Sequence, residues 1–373
     1  MNQIDDEKIN IKLRMELNKT NYFKRQTTLS EIGVKGQQLL QQAKVLVIGC
    51  GGLGSPIAIY LATSGIGELH LVDFDTVSVS NLHRQVFYKV KDVGQPKTKI
   101  LANEIKKRTP FTKVTYTNAA IEKDVILNLI SRYDVIVEAT DNLQVKYLIN
   151  DACVLAKKPL VYGSLYKFDG YVATFNVQDE KGNYSCNLRD AFPKIATNIP
   201  NCEEAGTLNP IVGIIALLQV NEVVKLITKT GNLLTNTLLI YNALKNSQLK
   251  IKLKKNNTLN INELFLNSSY QQENCSTQNQ EILISSEKLK EKLKNNAVEI
   301  ISVINNLNVE IPFKTTQKIP YSIFSIKKFN PDFKKEYVII CKKGITSYDV
   351  ALKIKEKYPL LSVVSLSEGI ENY

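Results

Sequence analysis

The sequence predicts an α/β fold around a mostly parallel sheet, carried in two domains. Three observations lead there. Short apolar, β-branched runs alternate with helical patterns from Val45 to Tyr162, and that alternation puts helices on the faces of a parallel sheet. The first of those runs passes directly into a glycine-rich turn and then a helix. A polar stretch rich in Asn, Gln and Ser then separates the first 255 residues from a second set of strands and helices. A chain of 373 residues suits two domains better than one.

Val45 to Ser55 reads V-L-V-I-G-C-G-G-L-G-S. Val45 to Ile48 suits a strand buried on both faces. Glycines at 49, 51, 52 and 54 follow, and Pro56 to Ala62 has a helical pattern. A strand, a glycine turn and a helix in that order make a phosphate cradle: the backbone approaches closely, and the helix N-terminus offers unpaired N–H groups. By itself this indicates a nucleotide site and no particular chemistry.

Residues 1 to 20 form a polar arm. Ser30 and Glu31 open a helix running to about Gln42. Leu69 to Asp75, L-H-L-V-D-F-D, is a second buried strand ending in acid. Asp73 falls about 20 residues past the glycines, where a carboxylate meets a ribose hydroxyl in this architecture. Ser78 to Phe87 is a polar interruption and Asp92 to Lys97 a turn, followed by an amphipathic helix, Thr98 to Arg108. Strands at 113–118, 133–140, 159–162 and 171–177 alternate with helices at 125–130 and 145–156. A long apolar helix runs from about Asn209 to Lys229, and 237–242 and 248–254 read as paired strands. Residues 256–282 have a linker composition. Strands at 298–303, 337–341 and 361–366, with helices at 286–294 and 347–357, then make a small α/β domain over 283–373.

Composition narrows the function classes. The net charge is +12, but the lysines are spread along the chain with no arginine-rich, aromatic-interleaved patch. That describes a solvated surface rather than a nucleic-acid site, and it suits a small acidic protein partner. The N-terminus M-N-Q-I-D-D-E-K does not resemble a signal peptide. The uncharged apolar stretch Leu208 to Asn221 is shorter than the ~20 residues a bilayer needs, so no membrane association and a cytoplasmic location are expected. Six cysteines occur without a C-x-x-C pair, in a long chain whose N-terminus does not resemble a signal peptide, so neither a disulfide framework nor a zinc site is expected. His70 and His83 are the only histidines, so catalysis built on several histidines is excluded.

Eight stretches, in order, carry a family resemblance: R-Q at 25–26, G-C-G-G-L-G-S at 49–55, L-V-D-F-D at 71–75, S-N-L-H-R-Q at 80–85, G-Q-P-K at 94–97, A-T-D-N at 139–142, Y-L-I-N-D-A-C at 147–153 and N-C-E-E-A-G at 201–206. With them, residues 21–255 resemble the MoeB/ThiF/HesA family, bacterial relatives of ubiquitin-activating enzymes. The resemblance implies a Rossmann-like sheet with the additions typical of ubiquitin-activating enzymes. It also implies an adenylyltransferase using ATP and Mg²⁺ on the C-terminal Gly-Gly of a ubiquitin-like sulfur carrier. A carboxylate is already a nucleophile, so this chemistry needs positive charge on the phosphates rather than a general base.

Position by position, the resemblance places Gly52 against the nucleotide and Asp73 on the ribose. Arg84 and Lys97 grip the phosphates, with Ser80 and Asn81 on the same loop. Asp141 holds Mg²⁺, Asn142 lines the site, and Arg25 reaches into the neighbouring subunit's site, which implies a homodimer. Cys202 falls where the family has a loop cysteine able to bond the carrier covalently. The family's two C-x-x-C zinc pairs are absent: N-L-R-D (187–190) and N-N-T-L-N (256–260) stand in their places. This resembles the zinc-free, MoeZ-type subgroup, whose C-terminal domain is a rhodanese. Y-V-I-I-C-K-K-G-I-T-S (337–347) and the closing L-S-E-G-I-E-N-Y resemble that rhodanese-like domain. Cys341 is then the persulfide carrier, fed by a donor such as a cysteine desulfurase. Thr346 replaces the loop arginine, and an Asp-x-Arg turn is missing near Ser302 to Asn305. A nucleotide-binding scaffold or an NAD-dependent oxidoreductase on the same sheet is the alternative. The pathway (thiamine, molybdopterin or tRNA thiolation) is open.

Overall fold

A computed structural model of the chain describes residues 17–193, 206–256, 258–270, 282–294, 298–326, 329–342, 344–367 and 369–373. It divides into two compact units, Met1–Tyr270 and Gln271–Tyr373.

The first unit is built on eight strands: β1 (Lys44–Ile48), β2 (Glu68–Val72), β3 (Lys113–Thr117), β4 (Val135–Glu138), β5 (Leu160–Tyr166), β6 (Asp169–Phe175), β7 (Thr237–Asn242) and β8 (Ser247–Lys252). They lie in the order β3-β2-β1-β4-β5-β6-β7-β8. The first five are parallel and the last three antiparallel. Strand order reverses between β1 and β4, and in open α/β sheets such a switch point is where ligands bind.

Alternation along β1 separates two cores. Val45 and Val47 pack with residues of the Gly54–Thr63, Lys97–Arg108 and Asn209–Thr228 helices. Leu46 and Ile48 pack on the opposite side with the Lys123–Ser131 and Leu143–Leu155 helices. Every residue from Val45 to Ile48 is buried, which is why the run reads as continuously apolar.

Two expectations are corrected. The apolar stretch after Leu208 is part of a 20-residue helix, Asn209–Thr228, long and apolar enough to cross a membrane. Length therefore does not decide the matter. Ile211, Ile215 and Val223 lie in the sheet's core, and Gln219 and Glu222 are buried along it. The second correction concerns 256–282. Ile261–Asn267 is a helix capped by Asn260, whose Oδ1 accepts from the Glu263 amide at 3.2 Å. Phe265 and Tyr270 are buried in the first unit's core, so the unit runs to Tyr270 rather than ending at 255. Residues 271–281 lie outside the described residues.

The second unit has five parallel strands: β9 (Leu283–Ile284), β10 (Val298–Ser302), β11 (Gln317–Lys318), β12 (Glu336–Ile340) and β13 (Ser362–Leu366), in the order β11-β10-β12-β13-β9. The Ile345–Lys357 helix packs on β12 and β13 through Val350, Ala351 and Ile354.

Candidate active site

The C-terminal ends of β2, β1 and β4 lie side by side, and each carries a sequence-predicted group. At the end of β1, Gly49 has φ 95°, and a Cβ there would fall 2.5 Å from the Ala139 carbonyl oxygen. Only glycine allows both the positive φ and the close approach to the 139–142 loop. Cys50 follows. Its N–H donates to Asp73 Oδ2 at 2.6 Å and its carbonyl accepts from the Tyr88 hydroxyl at 2.6 Å. The thiol is fully buried, and burial together with the nearby Asp73 pushes its pKa well up. It is a small, inert residue inside the turn. Gly52 faces Val212, whose Cγ1 would lie 2.8 Å from a Cβ there.

Asp73 is held from two sides. Oδ1 accepts the Asp75 N–H at 2.8 Å while Oδ2 takes that of Cys50. Burial raises its pKa and the two N–H bonds oppose the rise. The carboxylate is thereby fixed in orientation beside the glycine turn.

Arg84, Ser80 and Asn81 form one cluster on the crossing segment. The Arg84 guanidinium donates to Asn81 Oδ1 at 2.8 Å, to the Ser80 carbonyl at 3.2 Å and to His83 Nε2 at 3.0 Å. Ser80 is exposed and Arg84 half-buried. Arg84's carbonyl lies 3.7 Å from the Cβ position of Gly52, which puts this segment beside the glycine turn.

Lys97 differs from the expectation of a cation open to phosphates. It is 3% exposed, and its Nζ donates to Asp75 Oδ2 at 2.8 Å. The 94–97 turn is zipped against 75–77 by Val77 N–H to Gln95 O, Gly94 N–H to Val77 O and Lys97 N–H to Asp75 O. That pairing brings the ammonium to Asp75. Asp75 itself is half exposed, so an incoming anion meets a lysine already shared with a carboxylate.

At the end of β4, Asp141 is exposed and makes no hydrogen bond or ion pair among the described residues. A solvent-facing, unshared carboxylate is the donor type that Mg²⁺ prefers. Asn142 caps the following helix, its Oδ1 accepting from the Val145 amide at 3.1 Å. Arg25 lies exposed in the Lys24–Thr27 turn. That turn is anchored by Gln26 Nε2 on Gln37 Oε1 at 2.7 Å and on the Ser64 carbonyl at 3.0 Å. Cys202 lies outside the described residues. The structure thus brings together Gly52, Asp73, Ser80, Asn81, Arg84, Lys97, Asp141 and Asn142, and leaves Arg25 on the surface.

The stretches where the family's zinc pairs would fall also meet. Asp190 accepts from the Asn187 amide at 2.8 Å through Oδ2 and from the Asn256 amide at 2.7 Å through Oδ1. Arg189 makes a buried bidentate pair with Asp151, on which the Tyr270 hydroxyl also donates.

Cys341 belongs to the second unit and is described by itself. It follows β12 and is 4% exposed. Its sulfur accepts from Ser347 Oγ at 3.2 Å, and Ser365 Oγ donates to Ser347 Oγ at 2.9 Å. Gly344, at φ 82°, turns the chain into the helix, and a Cβ there would collide with the Ser367 carbonyl.

Asp75, Tyr88 and the pair Glu138–Lys146 were not singled out from sequence. Glu138 carried a signal, as an acid closing the apolar run V-I-V-E.

The fold is similar to that of solved structures. E. coli MccB with ATP aligns at a TM-score of 0.56 and 23% identity, over 65% of this chain and 73% of that one. In sequence, the chain is 37% identical over 236 residues to the sulfur carrier protein adenylyltransferase of Thermus thermophilus, covering 63% of this chain and 87% of that protein. It is 40% identical over 228 residues to the adenylyltransferase and sulfurtransferase MOCS3 of Dictyostelium discoideum, covering 61% of this chain and 53% of that protein. The chain thus spans about half the length of that second relative. Residues 23–261 match the ThiF family. That match takes in the glycine turn, both acid-ended strands and the segment between them, and the chain belongs to the ThiF family.

Proposed function

We propose that the first unit binds ATP and adenylates the C-terminal carboxylate of a ubiquitin-like sulfur carrier. The observation that carries this reading is the neighbouring trio of strand ends. Asp73, the glycine turn and the Asp141–Asn142 pair occupy one edge, and Arg84 and Lys97 lie on the segments that follow β2. A dinucleotide redox site has no need of that last set.

In the proposed step, a carboxylate oxygen of the carrier attacks the α-phosphorus. The new O–P bond forms as the bond to the β-phosphate oxygen breaks, and pyrophosphate leaves. Asp73 orients the ribose. The backbone N–H groups of the glycine turn and the Arg84 guanidinium take up charge on the phosphates. Lys97 does so by partial transfer of its ammonium from Asp75. Asp141 would hold Mg²⁺, which when bound neutralises phosphate charge. Arg25 would complete a second subunit's site in a homodimer, and Cys202 would be the loop cysteine able to bond the carrier covalently.

We further read the second unit as rhodanese-like. Cys341 would carry a persulfide, received from a donor such as a cysteine desulfurase. Its outer sulfur would attack the acyl carbon as AMP leaves. An external thiol would then attack the Cys341 sulfur of the resulting acyl disulfide, releasing the thiocarboxylate and leaving a disulfide. The zinc-free subgroup is part of the same reading, supported by the hydrogen-bonded turn at Asp190. The test is ATP–pyrophosphate exchange with ThiS-like and MoaD-like carriers, with NAD titrated as a competitor ligand. Exchange that depends on the carrier is expected. No exchange with either carrier, or tight NAD binding that ATP cannot displace, sinks the reading. Loss of thiocarboxylate in Cys341→Ala, with exchange intact, is expected for the second unit.

A further inference from the structure

Behind the exposed Asp141 lies a fully buried ion pair. Glu138, the last residue of β4, is 0% exposed, and Lys146 is 3% exposed. Lys146 Nζ donates to Glu138 Oε2 at 2.5 Å and to the Gly163 carbonyl of β5 at 3.0 Å. It also sits 5.3 Å from the centre of the Tyr162 ring. Glu138 Oε1 accepts both the Thr140 N–H at 2.7 Å and the Thr140 hydroxyl at 2.6 Å. From the other face, Gln219 Nε2 donates to the Glu138 carbonyl at 2.8 Å.

Two of these bonds end on Thr140, the residue before Asp141. Thr140 is held at its amide and its hydroxyl, Asn142 is held separately as the cap of the helix that carries Lys146, and Asp141, between them, has no bonding partner among the described residues. Stability alone does not account for the pair. Replacing a buried ion pair by apolar residues of similar volume is often neutral or stabilising. What an apolar pair cannot supply is an acceptor for both Thr140 donors at a fixed place. An Asp141 on an unclamped loop would sample positions an ångström or more from the productive one, and small misplacements cost rate steeply.

We infer that Glu138 and Lys146 are positioning residues that clamp the Thr140–Asn142 loop so that Asp141 and Asn142 meet the bound nucleotide in one geometry. This rests on the adenylation reading. It adds that the apolar-faced strand carries its acid for the loop and not for the sheet.

The experiment uses the full chain and three variants. Glu138→Gln combined with Lys146→Met removes both charges with near-isosteric groups. Lys146→Arg keeps the charge. Thr140→Val removes one arm of the clamp and leaves the ion pair whole. Four readouts are taken: melting temperature, calorimetric affinity for ATP with Mg²⁺, amide hydrogen exchange of the 138–143 segment in nucleotide-free protein, and kcat and KM of carrier-dependent pyrophosphate exchange.

Thr140→Val is expected to lower kcat roughly tenfold with a near-native melting temperature and faster exchange of the loop amides. The double variant is expected to lower kcat roughly a hundredfold, and Lys146→Arg to stay within about threefold of wild type. Wild-type kcat and wild-type amide exchange in Thr140→Val overturn the inference, and that variant decides alone should the double variant fail to fold. A loss in Lys146→Arg as large as in the folded double variant also overturns it. A wild-type protein inactive with every carrier rejects the adenylation reading instead, while ATP affinity and amide exchange still decide the clamp.

Discussion

The Cys50 amide donates to Asp73 Oδ2 at 2.6 Å, joining the glycine turn after β1 to the carboxylate after β2. With the Asp75 amide on Oδ1, both carboxylate oxygens accept backbone N–H groups. An asparagine there would set an NH₂ against one of those donors, so the side chain would rotate away or the turn would open. Under the adenylation reading, Asp73→Asn is expected to weaken ATP binding by at least about tenfold, as loss of a hydrogen bond to a charged group does. Calorimetric titration measures it, and an unchanged dissociation constant would show that Asp73 serves only the turn.

Gly52 gives a prediction about packing. A Cβ at 52 would stand 2.8 Å from Val212 Cγ1 on the Asn209–Thr228 helix. Gly52→Ala is expected to destabilise the first unit by about 1–3 kcal/mol, the usual cost of overpacking. Adding Val212→Ala to the same chain should recover most of that loss, because the clash is with one removable methyl. Denaturant unfolding of the single and double variants measures the coupling. Equal stabilities for Gly52→Ala with and without the second change would refute it.

The legible part of this fold is the part buried on both faces. β1 and β4 read as continuous apolar runs because no residue in either faces water on its inner positions, and the glycines stand where backbone meets backbone at Ala139. The Ile261–Asn267 helix is not legible in sequence because it is short and buries one stripe, Ile261 and Phe265, in a segment flanked on both sides by Asn-, Ser- and Gln-rich chain. The Lys97–Asp75 pair was hidden for another reason. Its partners are 22 residues apart in sequence, and only the zipped turn at 94–97 brings them together. Motif spacing picked out residues that share neighbouring strand ends; it could not tell which charges were already paired.

Glu104 ties acid stability to one helix. Its carboxylate accepts from Arg108 at 2.6 Å, Lys107 at 3.0 Å and Lys89 at 3.4 Å. The Arg108 bond foremost lowers its pKa from 4.5 to about 2, against the opposing effect of burial. The folded state therefore binds fewer protons here than the unfolded state. Its stabilisation is complete above pH 4.5 and is lost as pH falls toward 2. Because Lys89 and Lys107 are mostly exposed, solvent screening reduces the effect to about 1–2 kcal/mol. Glu104→Gln should lower stability at pH ~7 and flatten its decline on acidification. Urea unfolding at about pH 7 and about pH 3 checks this, and parallel declines in both proteins would reject it.

Ser347 sets the last expectation, in the second unit. Its hydroxyl donates to Cys341 Sγ at 3.2 Å, and the Ser365 hydroxyl donates to Ser347 Oγ at 2.9 Å. All three side chains are buried. Ser365 occupies an acceptor position on Ser347, so the Ser347 hydrogen is left to face the sulfur. A donor fixed in that way stabilises negative charge as it grows on sulfur, and a hydrogen bond to a charged group is worth about 1.5–3 kcal/mol. Ser347→Ala should therefore slow reaction of Cys341 with iodoacetamide or a persulfide donor by about tenfold or more. Ser365→Ala should slow it less, because it loosens the donor without removing it. Mass spectrometry of the Cys341 peptide follows both rates. A larger effect from Ser365→Ala than from Ser347→Ala would mean that the chain of hydroxyls holds β13 to the helix and leaves the sulfur's reactivity to other groups.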